Sequence, residues 1–368
     1  MTNSSISIGV CAPLSGLAGP LGKEMKQAIE VAVHEKNKSG GLAGYEIKSI
    51  TYDDESDVKK AEIVANELCR NANILGVIGH YSSDTSLAAA RIYEKAGLSL
   101  VAPIASNPSL TESGIKGIFR YTNRDDKTAK AISDYLYHKR GKRKAILAFS
   151  DTAYGNSMGG AFYHAFTEIG GAILKSISFQ QGEKDFRHHI RQQPADFDLL
   201  FYGGTFEGAP LLRDFRSNGF DQLMATGDGC WDKVNFLYPA GDALEKGEGV
   251  VVLSASSAVG DVRGSEKFAA TYSQAYGEII NYALNSYDCA NILFQAIEDA
   301  AHADTGSVPG RNLIGQALQK VRVRGIANKN MTVWDKKGDN QGAITRLYTA
   351  RKGQFVEIDP INQILRTF

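Results

Sequence analysis

The sequence predicts an α/β fold made of two similar doubly wound lobes, each built on a largely parallel sheet. Short apolar strands alternate with amphipathic helices of roughly 12–16 residues, which is the pattern of βαβ units. The alternation begins again after Arg124, and 368 residues are enough for about two domains. Gly is frequent, at 38 residues, and Pro is scarce, at 9, as expected for many tight turns between regular elements.

The first lobe opens with an apolar strand over residues 6–12, which leads into a helix. That helix is predicted because apolar side chains recur with helical spacing on one face, at Met25, Ala28, Ile29, Ala32 and Val33. The same order continues with strands over 46–52, 74–79 and 98–102 and with helices around 61–68 and 83–96.

The second lobe repeats this order after Arg124. Helices are predicted over 126–139, 155–169, 184–193 and 206–218. Strands are predicted over 144–149, 172–179, 198–202, 223–226 and 249–253. The lobes are therefore of similar size, and short ordered connections join them instead of a flexible linker, which suits a hinged cleft.

The C-terminal part departs from the alternation and must be shared between the lobes. Helices are predicted over 265–276, 281–301 and 311–320. Three extended segments follow, over 331–334, 343–349 and 354–358. Turn-forming glycines between these segments predict a small antiparallel meander.

Composition excludes several classes of protein. Lys and Arg number 41, as do Asp and Glu, so neither nucleic acid nor an anionic membrane is an expected partner. No apolar run approaches the roughly 20 residues of a membrane span, so no direct membrane insertion is expected. The four cysteines are far apart and form no CxxC pattern for redox chemistry or zinc.

Polar groups follow the strands of the first lobe, at the end of the sheet where ligands of open parallel sheets bind. Ser83 begins a helix, where it could simply cap the helix or could, with the free amides, bind a carboxylate. Ser106 and the backbone carbonyl of Ile104 follow the fourth strand. Leu21 follows the glycine-rich loop after the first strand, which lacks the spacing of a phosphate loop.

The second lobe offers different chemistry after its strands. Tyr154, Thr205 and Asp228 stand there, and Asp228 is flanked by glycines, a setting that favours binding of a cation over a purely structural role. Aromatic side chains that could supply apolar surface are Tyr81, Tyr154, Phe206 and Tyr282. Together these groups predict a receptor for a zwitterion, with no catalytic residue, no cofactor and no metal.

A series of short motifs runs in a recognisable order over nearly the whole chain. These are Ala12-Pro13-Leu14-Ser15-Gly16, Tyr52-Asp53-Asp54, Val77-Ile78-Gly79-His80, Ser106-Asn107-Pro108-Ser109-Leu110-Thr111, Tyr154-Gly155, Gly182-Glu183-Lys184-Asp185-Phe186, Tyr202-Gly203-Gly204 and Trp334-Asp335-Lys336-Lys337-Gly338-Asp339. In this order the sequence resembles the periplasmic leucine/isoleucine/valine-binding proteins, the type I solute-binding proteins of bacterial ABC importers.

The resemblance implies a role for each candidate residue. Ser83 would bind the ligand carboxylate through its hydroxyl and N–H, and Ser106 would contact both carboxylate and ammonium. The carbonyl of Ile104 would bind the ammonium, and Asp228 would be its counter-ion. Tyr154 would close on the ligand from the second lobe. The residues that would shape the side-chain pocket are Leu21, Tyr81, Thr205 and Tyr282.

The chain also departs from the family pattern. Ser82 and either Ser56 or Asp57 stand where the family often has a disulfide, so that bridge is absent. Tyr81 is bulkier than the aliphatic residue common at its position, and Thr205 replaces an aromatic residue. The implied ligand is therefore an amino acid, either branched-chain or another small neutral one.

The resemblance further implies the type I periplasmic binding protein fold, two Rossmann-like lobes joined by a three-crossing hinge. The expected N-terminal lobe is 1–122 with 254–331, and the expected C-terminal lobe is 123–253 with 332–368, with the ligand cleft between them. The implied partners are an amino acid and the membrane permease of an ABC importer, and a monomer is expected. The implied location is the periplasm, with the leader absent from this chain.

Three other functions have some support in the sequence. Residues 155–159 match the GxSxG pattern of serine hydrolases, but Ser157 comes several residues after the strand instead of at the strand-to-helix turn. His188 and His189 suggest a metal, but no third ligand is evident at a suitable spacing. A sensor of the same fold, which binds an amino acid or amide and reports to a regulatory partner, is the main alternative to transport.

Overall fold

The structure, a computed structural model, describes residues 5–194, 196–303 and 308–358. The chain divides into two compact units. The first unit holds the described residues up to Asn123 together with Ser256–Ile344, and the second holds Arg124–Ala255 with the described residues from Thr345 onward. The chain therefore passes between the units three times, as the predicted fold class requires.

The first unit begins with strands that alternate with helices. Its elements up to Asn123 are β1 (Ser5–Ala12), α1 (Gly19–Lys38), β2 (Glu46–Asp53), α2 (Val58–Arg70), β3 (Ile74–Ile78), α3 (Ser83–Lys95), β4 (Leu100–Ala102), α4 (Ser109–Glu112) and β5 (Ile118–Arg120). Local signals set several of these boundaries. Asp57 caps α2 by accepting a hydrogen bond from Lys60 N at 2.8 Å, and Pro20 occupies the first turn of α1, where its missing N–H costs nothing.

The second unit follows the same plan. Its elements up to Ala255 are α5 (Asp125–Asp134), β6 (Lys144–Ser150), α6 (Ala153–Glu168), β7 (Ala172–Phe179), α7 (Arg187–Arg191), β8 (Leu199–Gly203), α8 (Gly208–Ser217), β9 (Leu223–Thr226), α9 (Tyr238–Ala240) and β10 (Val250–Ser254). A π-helical turn, Tyr135–Lys139, continues α5 to the length predicted for it. The helix predicted over 184–193 is shorter, since α7 has only five residues.

The rest of the chain contributes to both units. Its elements are α10 (Ser265–Tyr276), α11 (Ala283–Ala303), α12 (Arg311–Lys320), β11 (Arg322–Arg324), β12 (Met331–Val333), β13 (Arg346–Arg351) and β14 (Gln354–Glu357). The three helices complete the first unit, where α11 packs against α1. The last two strands join the sheet of the second unit.

Each unit has its own sheet with helices on both faces. The first sheet has the order β2-β1-β3-β4-β5 and is parallel throughout. The second has the order β14-β13-β10-β9-β8-β6-β7, in which β13 runs antiparallel to both of its neighbours, β10 and β14, and every other neighbouring pair is parallel. Because the central strands β3, β8 and β10 are buried along their whole length, they are nearly continuous apolar runs. These sheets confirm the predicted α/β fold class.

Two predictions for the C-terminal part are wrong. The three extended segments do not form one meander, since β12 pairs with β11 whereas β13 pairs with β10 and β14. Residues 332–344 also lie in the first unit and not in the second. The cause is a pair of side-chain contacts with β5: Trp334 packs on Phe119 at 5.4 Å between ring centroids, and Asp339 accepts a hydrogen bond from buried Arg120.

Two further features bear on function. No helix among the described residues has both the length and the apolar character needed to cross a bilayer. All four cysteines are free thiols, and three of them are buried.

Candidate functional site

The first sheet brings the candidate residues of its unit to one edge. The neighbouring strands β1, β3 and β4 are parallel, so their carboxyl ends lie side by side. Leu21 lies in the first turn of α1 after β1, and Tyr81 and Ser83 follow β3. Ile104 and Ser106 follow β4. Five predicted residues that are distant in sequence therefore share one end of a sheet.

Ser83 links the loops that follow β3 and β4. Its hydroxyl accepts a hydrogen bond from Asn107 N at 3.2 Å, and both Ser83 and Ser106 are buried. Ser82, not Ser83, is the residue that caps α3, because its hydroxyl accepts the N–H of Thr85 at 3.2 Å. This cap binds only one of the backbone N–H groups at the positive end of the 13-residue helix α3. The other N–H groups of the first turn have no carbonyl acceptor within the helix, and they lie at the same edge as the hydroxyls of Ser83 and Ser106. That chemistry suits a carboxylate.

The aromatic residues of the first unit are tied to the same edge. The Tyr81 hydroxyl donates to Asn281 Oδ1 at 2.9 Å, which brings the start of α11 to the loop after β3. Asn285 Nδ2 donates to the carbonyl of Pro103 at 3.4 Å, which ties α11 to the loop after β4. Tyr282 lies between these two anchors along the chain and is buried. The edge therefore has an apolar side.

A buried arginine that the sequence analysis missed holds the loop after β4. Arg120 is fully buried at the end of β5, and its Nη1 donates to the carbonyl of Asn107. Its Nε donates to Asp339 Oδ1 at 2.8 Å, and its Nη2 donates to the hydroxyl of Thr111. The available signal was a single charge inside the apolar stretch Ile118-Phe119-Arg120-Tyr121, since a charge in a buried strand needs a buried partner.

A second buried network supports the loop after β3. His80 is fully buried, with Nδ1 2.6 Å from Asp54 Oδ2 and Nε2 3.0 Å from the hydroxyl of Tyr93. The Tyr93 hydroxyl also lies 3.4 Å from Cys11 Sγ. Burial acts to lower the pKa of His80, but Cys11 and Asp54 favour the imidazolium, and together they raise the pKa of His80 to about 10. His80 and Asp54 therefore form an ion pair beneath the candidate site.

The second sheet gathers its own candidates in the same way. The strands β6, β8 and β9 are parallel neighbours, so their carboxyl ends also lie side by side. Tyr154 lies in the first turn of α6 after β6, Thr205 follows β8, and Asp228 follows β9. Tyr154 and Asp228 are buried, and Thr205 is half-buried.

Tyr154 and Asp228 are joined directly, a contact that the sequence analysis did not foresee. The Tyr154 hydroxyl donates to Asp228 Oδ1 at 2.7 Å and accepts the N–H of Gly229 at 2.9 Å. Glycine is required on both sides of the acid because neighbouring atoms lie too close for a Cβ. A Cβ on Gly227 would stand 2.6 Å from the Tyr154 oxygen, and one on Gly229 would stand 2.5 Å from the Gly204 carbonyl.

The environment of Asp228 makes the negative charge of its carboxylate energetically unfavourable. Burial raises the pKa of Asp228, although the hydrogen bond from Tyr154 partly opposes this shift. Burial also raises the pKa of Tyr154 well above its ordinary value, and the carboxylates of Asp228 and Asp125 add to the shift. Asp125, buried at the start of α5, was not predicted. A cation beside Asp228 would offset the cost of burying its charge.

The structure also bears on the alternatives. Ser157 lies inside α6 and not at the turn that precedes it, so the geometry of a nucleophile elbow is not met. Gly155, the first residue of the GxSxG match, packs tightly on the β6 terminus, where a Cβ would lie 2.1 Å from the carbonyl of Ser150. The expectation that His188 and His189 have no third ligand nearby is wrong, because Glu183 lies beside them.

Comparison with known proteins gives a consistent result. The sequence model of a family described as periplasmic binding protein matches residues 5–353. An amino acid binding protein of Pseudomonas aeruginosa is 27% identical over 340 residues, which cover 91% of this chain and 87% of that protein. Leu/Ile/Val-binding protein homolog 1 of Brucella abortus is 27% identical over 307 residues, or 83% of this chain and 81% of that protein.

A solved structure agrees with these sequence matches. The crystal structure of a leucine-binding protein, LivK, from Thermotoga maritima superposes with a TM-score of 0.85 at 25% identity. The superposition covers 96% of this chain and 98% of that one.

Proposed function

The chain belongs to the periplasmic binding protein family, which confirms the predicted resemblance, and we propose that it is the substrate-binding receptor of an ABC importer. It would bind an amino acid, branched-chain or another small neutral one, as a zwitterion and deliver it to a membrane permease. The relatives named for amino acid and leucine binding support this ligand class.

The observation that carries the proposal is the buried carboxylate of Asp228. It is 4% exposed, and it follows a parallel strand at the edge of the sheet where ligands bind. A buried charge in such a place is costly, and the hydrogen bond from Tyr154 compensates only part of that cost. The α-ammonium of an amino acid would supply a positive charge that offsets the rest.

The first unit would bind the other end of the ligand. Ser83, Ser106 and the N-terminal amides of α3 would accept the carboxylate, and the carbonyl of Ile104 would accept the ammonium. Leu21, Tyr81, Tyr282 and Thr205 would contact the ligand side chain. Since each unit holds only half of these groups, the ligand would lie in a cleft between the lobes and would favour their closure.

Catalysis forms no part of the proposal. No serine, cysteine or lysine among the candidate site residues is paired with a general base. The ligand would therefore leave the protein as it entered. The protein would act as a monomer, with the permease as its only macromolecular partner.

A thermal-shift screen of ligand-free protein against the standard amino acids tests this proposal. A ligand at one hundred times its Kd stabilises the folded state by about 2.7 kcal/mol, which is a clear increase in Tm. We expect at least one neutral amino acid to raise Tm and to be recovered chemically unchanged by mass spectrometry. If no amino acid raises Tm, or if the recovered ligand is altered, the proposal is wrong.

A further inference from the structure

Three potential metal ligands meet on the second unit, outside the candidate site described above. They are Glu183, in the turn between β7 and α7, and His188 and His189, within α7. One ligand atom from each of them lies within 4.8 Å of the other two. Among the described residues, this is the one group of three such side chains that approach so closely.

Two of the three ligands are already held in place. His189 Nε2 lies 3.2 Å from Glu183 Oε1, and both side chains are about three-quarters buried. The His189 ring also packs beside Phe179 and Phe186, with centroids 6.4 Å and 6.3 Å away. These contacts fix the ring orientation before any ion arrives, so little side-chain entropy is lost on binding.

His188 supplies the third ligand from the solvent side. Its ring centroid is 3.7 Å from that of His189, with an angle of 40° between the planes. Neighbouring residues of a regular helix usually diverge, but α7 has only five residues and its two imidazoles lie together. Because His188 is exposed, it can adjust its rotamer toward an ion without disturbing the core.

Arg187, the arginine nearest to the cluster in sequence, does not oppose a cation. Arg187 lies between Glu183 and His188 in sequence, but its Nε donates to Asp185 Oδ1 at 2.9 Å. The arginine charge is thus neutralised by its own neighbour, and the carboxylate of Glu183 remains to balance an incoming ion.

We propose that Glu183, His188 and His189 bind a divalent late transition-metal ion such as Zn²⁺ or Ni²⁺, with a fourth position left to water. Two ligands of a tetrahedral zinc ion at about 2.05 Å lie about 3.3 Å apart. The observed 3.2 Å between His189 and Glu183 already matches that spacing. Two imidazoles favour late transition metals over Mg²⁺ and Ca²⁺, which prefer oxygen ligands throughout. The ion would fasten the β7–α7 turn onto α7.

Calorimetric titration of zinc chloride into the full chain, prepared without an oligohistidine tag, tests this site. We expect saturable binding of one ion per chain. His188→Ala and Glu183→Gln should each weaken it by at least about tenfold, since even loss of an outer-shell partner costs roughly 10–100-fold. His164→Ala, which removes an exposed histidine from α6 of the same unit, is the matched control and should leave the affinity unchanged.

A Co²⁺ titration gives an independent measurement. Tetrahedral coordination by imidazole and carboxylate should give a visible absorption band in the parent chain that is lost in His188→Ala. The side chains of His188 and Glu183 both reach solvent, so an unchanged Tm should show that His188→Ala and Glu183→Gln are folded. If the parent binds no zinc at millimolar concentration, or if its affinity survives both substitutions, no metal site exists here.

Discussion

Replacing Asp228 by asparagine separates its role as a ligand from its role in the fold. The change removes the negative charge while an oxygen remains that can accept the hydrogen bond from Tyr154. A charge-assisted hydrogen bond to an ammonium contributes about 1.5–3 kcal/mol, and each 1.4 kcal/mol corresponds to tenfold in affinity. Asp228→Asn should therefore weaken amino acid binding by about ten- to one-hundredfold.

The same substitution should not destabilise the protein in the absence of ligand. Burial raises the pKa of Asp228, which means that the folded state favours a neutral group at this position. A neutral amide relieves that cost, so Tm should stay the same or rise. Loss of affinity together with unchanged or higher stability is the pattern expected of a binding residue.

Asp232 provides a matched control four positions further along the chain. It is as deeply buried as Asp228, but its Oδ1 accepts the backbone N–H groups of Val234 and Asn235 at 2.8 Å and 2.9 Å. Its role is therefore to begin the helical turn that follows. Asp232→Asn should leave the affinity within about twofold of the parent value, since the charge lost is not the one proposed to meet the ligand.

Calorimetry and thermal melting of the parent and both variants decide the matter, starting from protein freed of ligand by unfolding and refolding. The reasoning is refuted if Asp228→Asn binds the amino acid as tightly as the parent. It is also refuted if Asp232→Asn loses as much affinity, because any buried acid in the segment would then have the same effect.

Three further predictions concern the supporting networks and the motion. The pKa of His80 is raised from 6.5 to about 10, so the stabilisation from its charged form is fully present below pH 6.5 and is lost as pH rises toward 10. The free energy of unfolding, measured by urea titration, should therefore fall more steeply between these pH values for the parent than for His80→Gln. Equal slopes would contradict the ion pair with Asp54. Arg120→Met should destabilise the fold by about 3–5 kcal/mol because it removes the positive charge that balances the buried carboxylate of Asp339, and a loss below about 1 kcal/mol would show that water replaces the pair. Small-angle scattering should show a smaller radius of gyration when the ligand is saturating, and an unchanged radius would exclude closure of the lobes.

The sequence predicted the regular elements well wherever the hydrophobic period was long. The strand at Ala172–Phe179 and the helices at Ser265–Tyr276 and Arg311–Lys320 have the predicted bounds, because each repeats its pattern over several turns or alternations. Short elements were missed. The strand β5 has three residues, and the segment between β9 and β10 folds into brief turns whose pattern is too short to establish a period.

Contacts between residues that are distant in sequence could not be predicted from the sequence. Residues 332–344 were assigned to the wrong unit because nothing local in Trp334 or Asp339 reveals that their partners are Phe119 and Arg120. That the candidate residues of each unit lie at one edge of its sheet was easier to predict, since parallel strands bring the residues after them to one edge whatever the details of packing. The direct bond between Tyr154 and Asp228 could not be predicted, because it depends on the approach of two loops.

The most direct test of the account compares three forms of one ligand on the parent chain. The amino acid that binds most tightly in the screen is titrated by calorimetry beside its analogue without the amino group and beside its carboxamide. Recognition of a zwitterion predicts that each analogue binds at least about tenfold more weakly, since each lacks one charge that the site is proposed to pair. If the analogue without the amino group binds as tightly as the amino acid, Asp228 has no ammonium to meet, and the ligand of this protein is an anion.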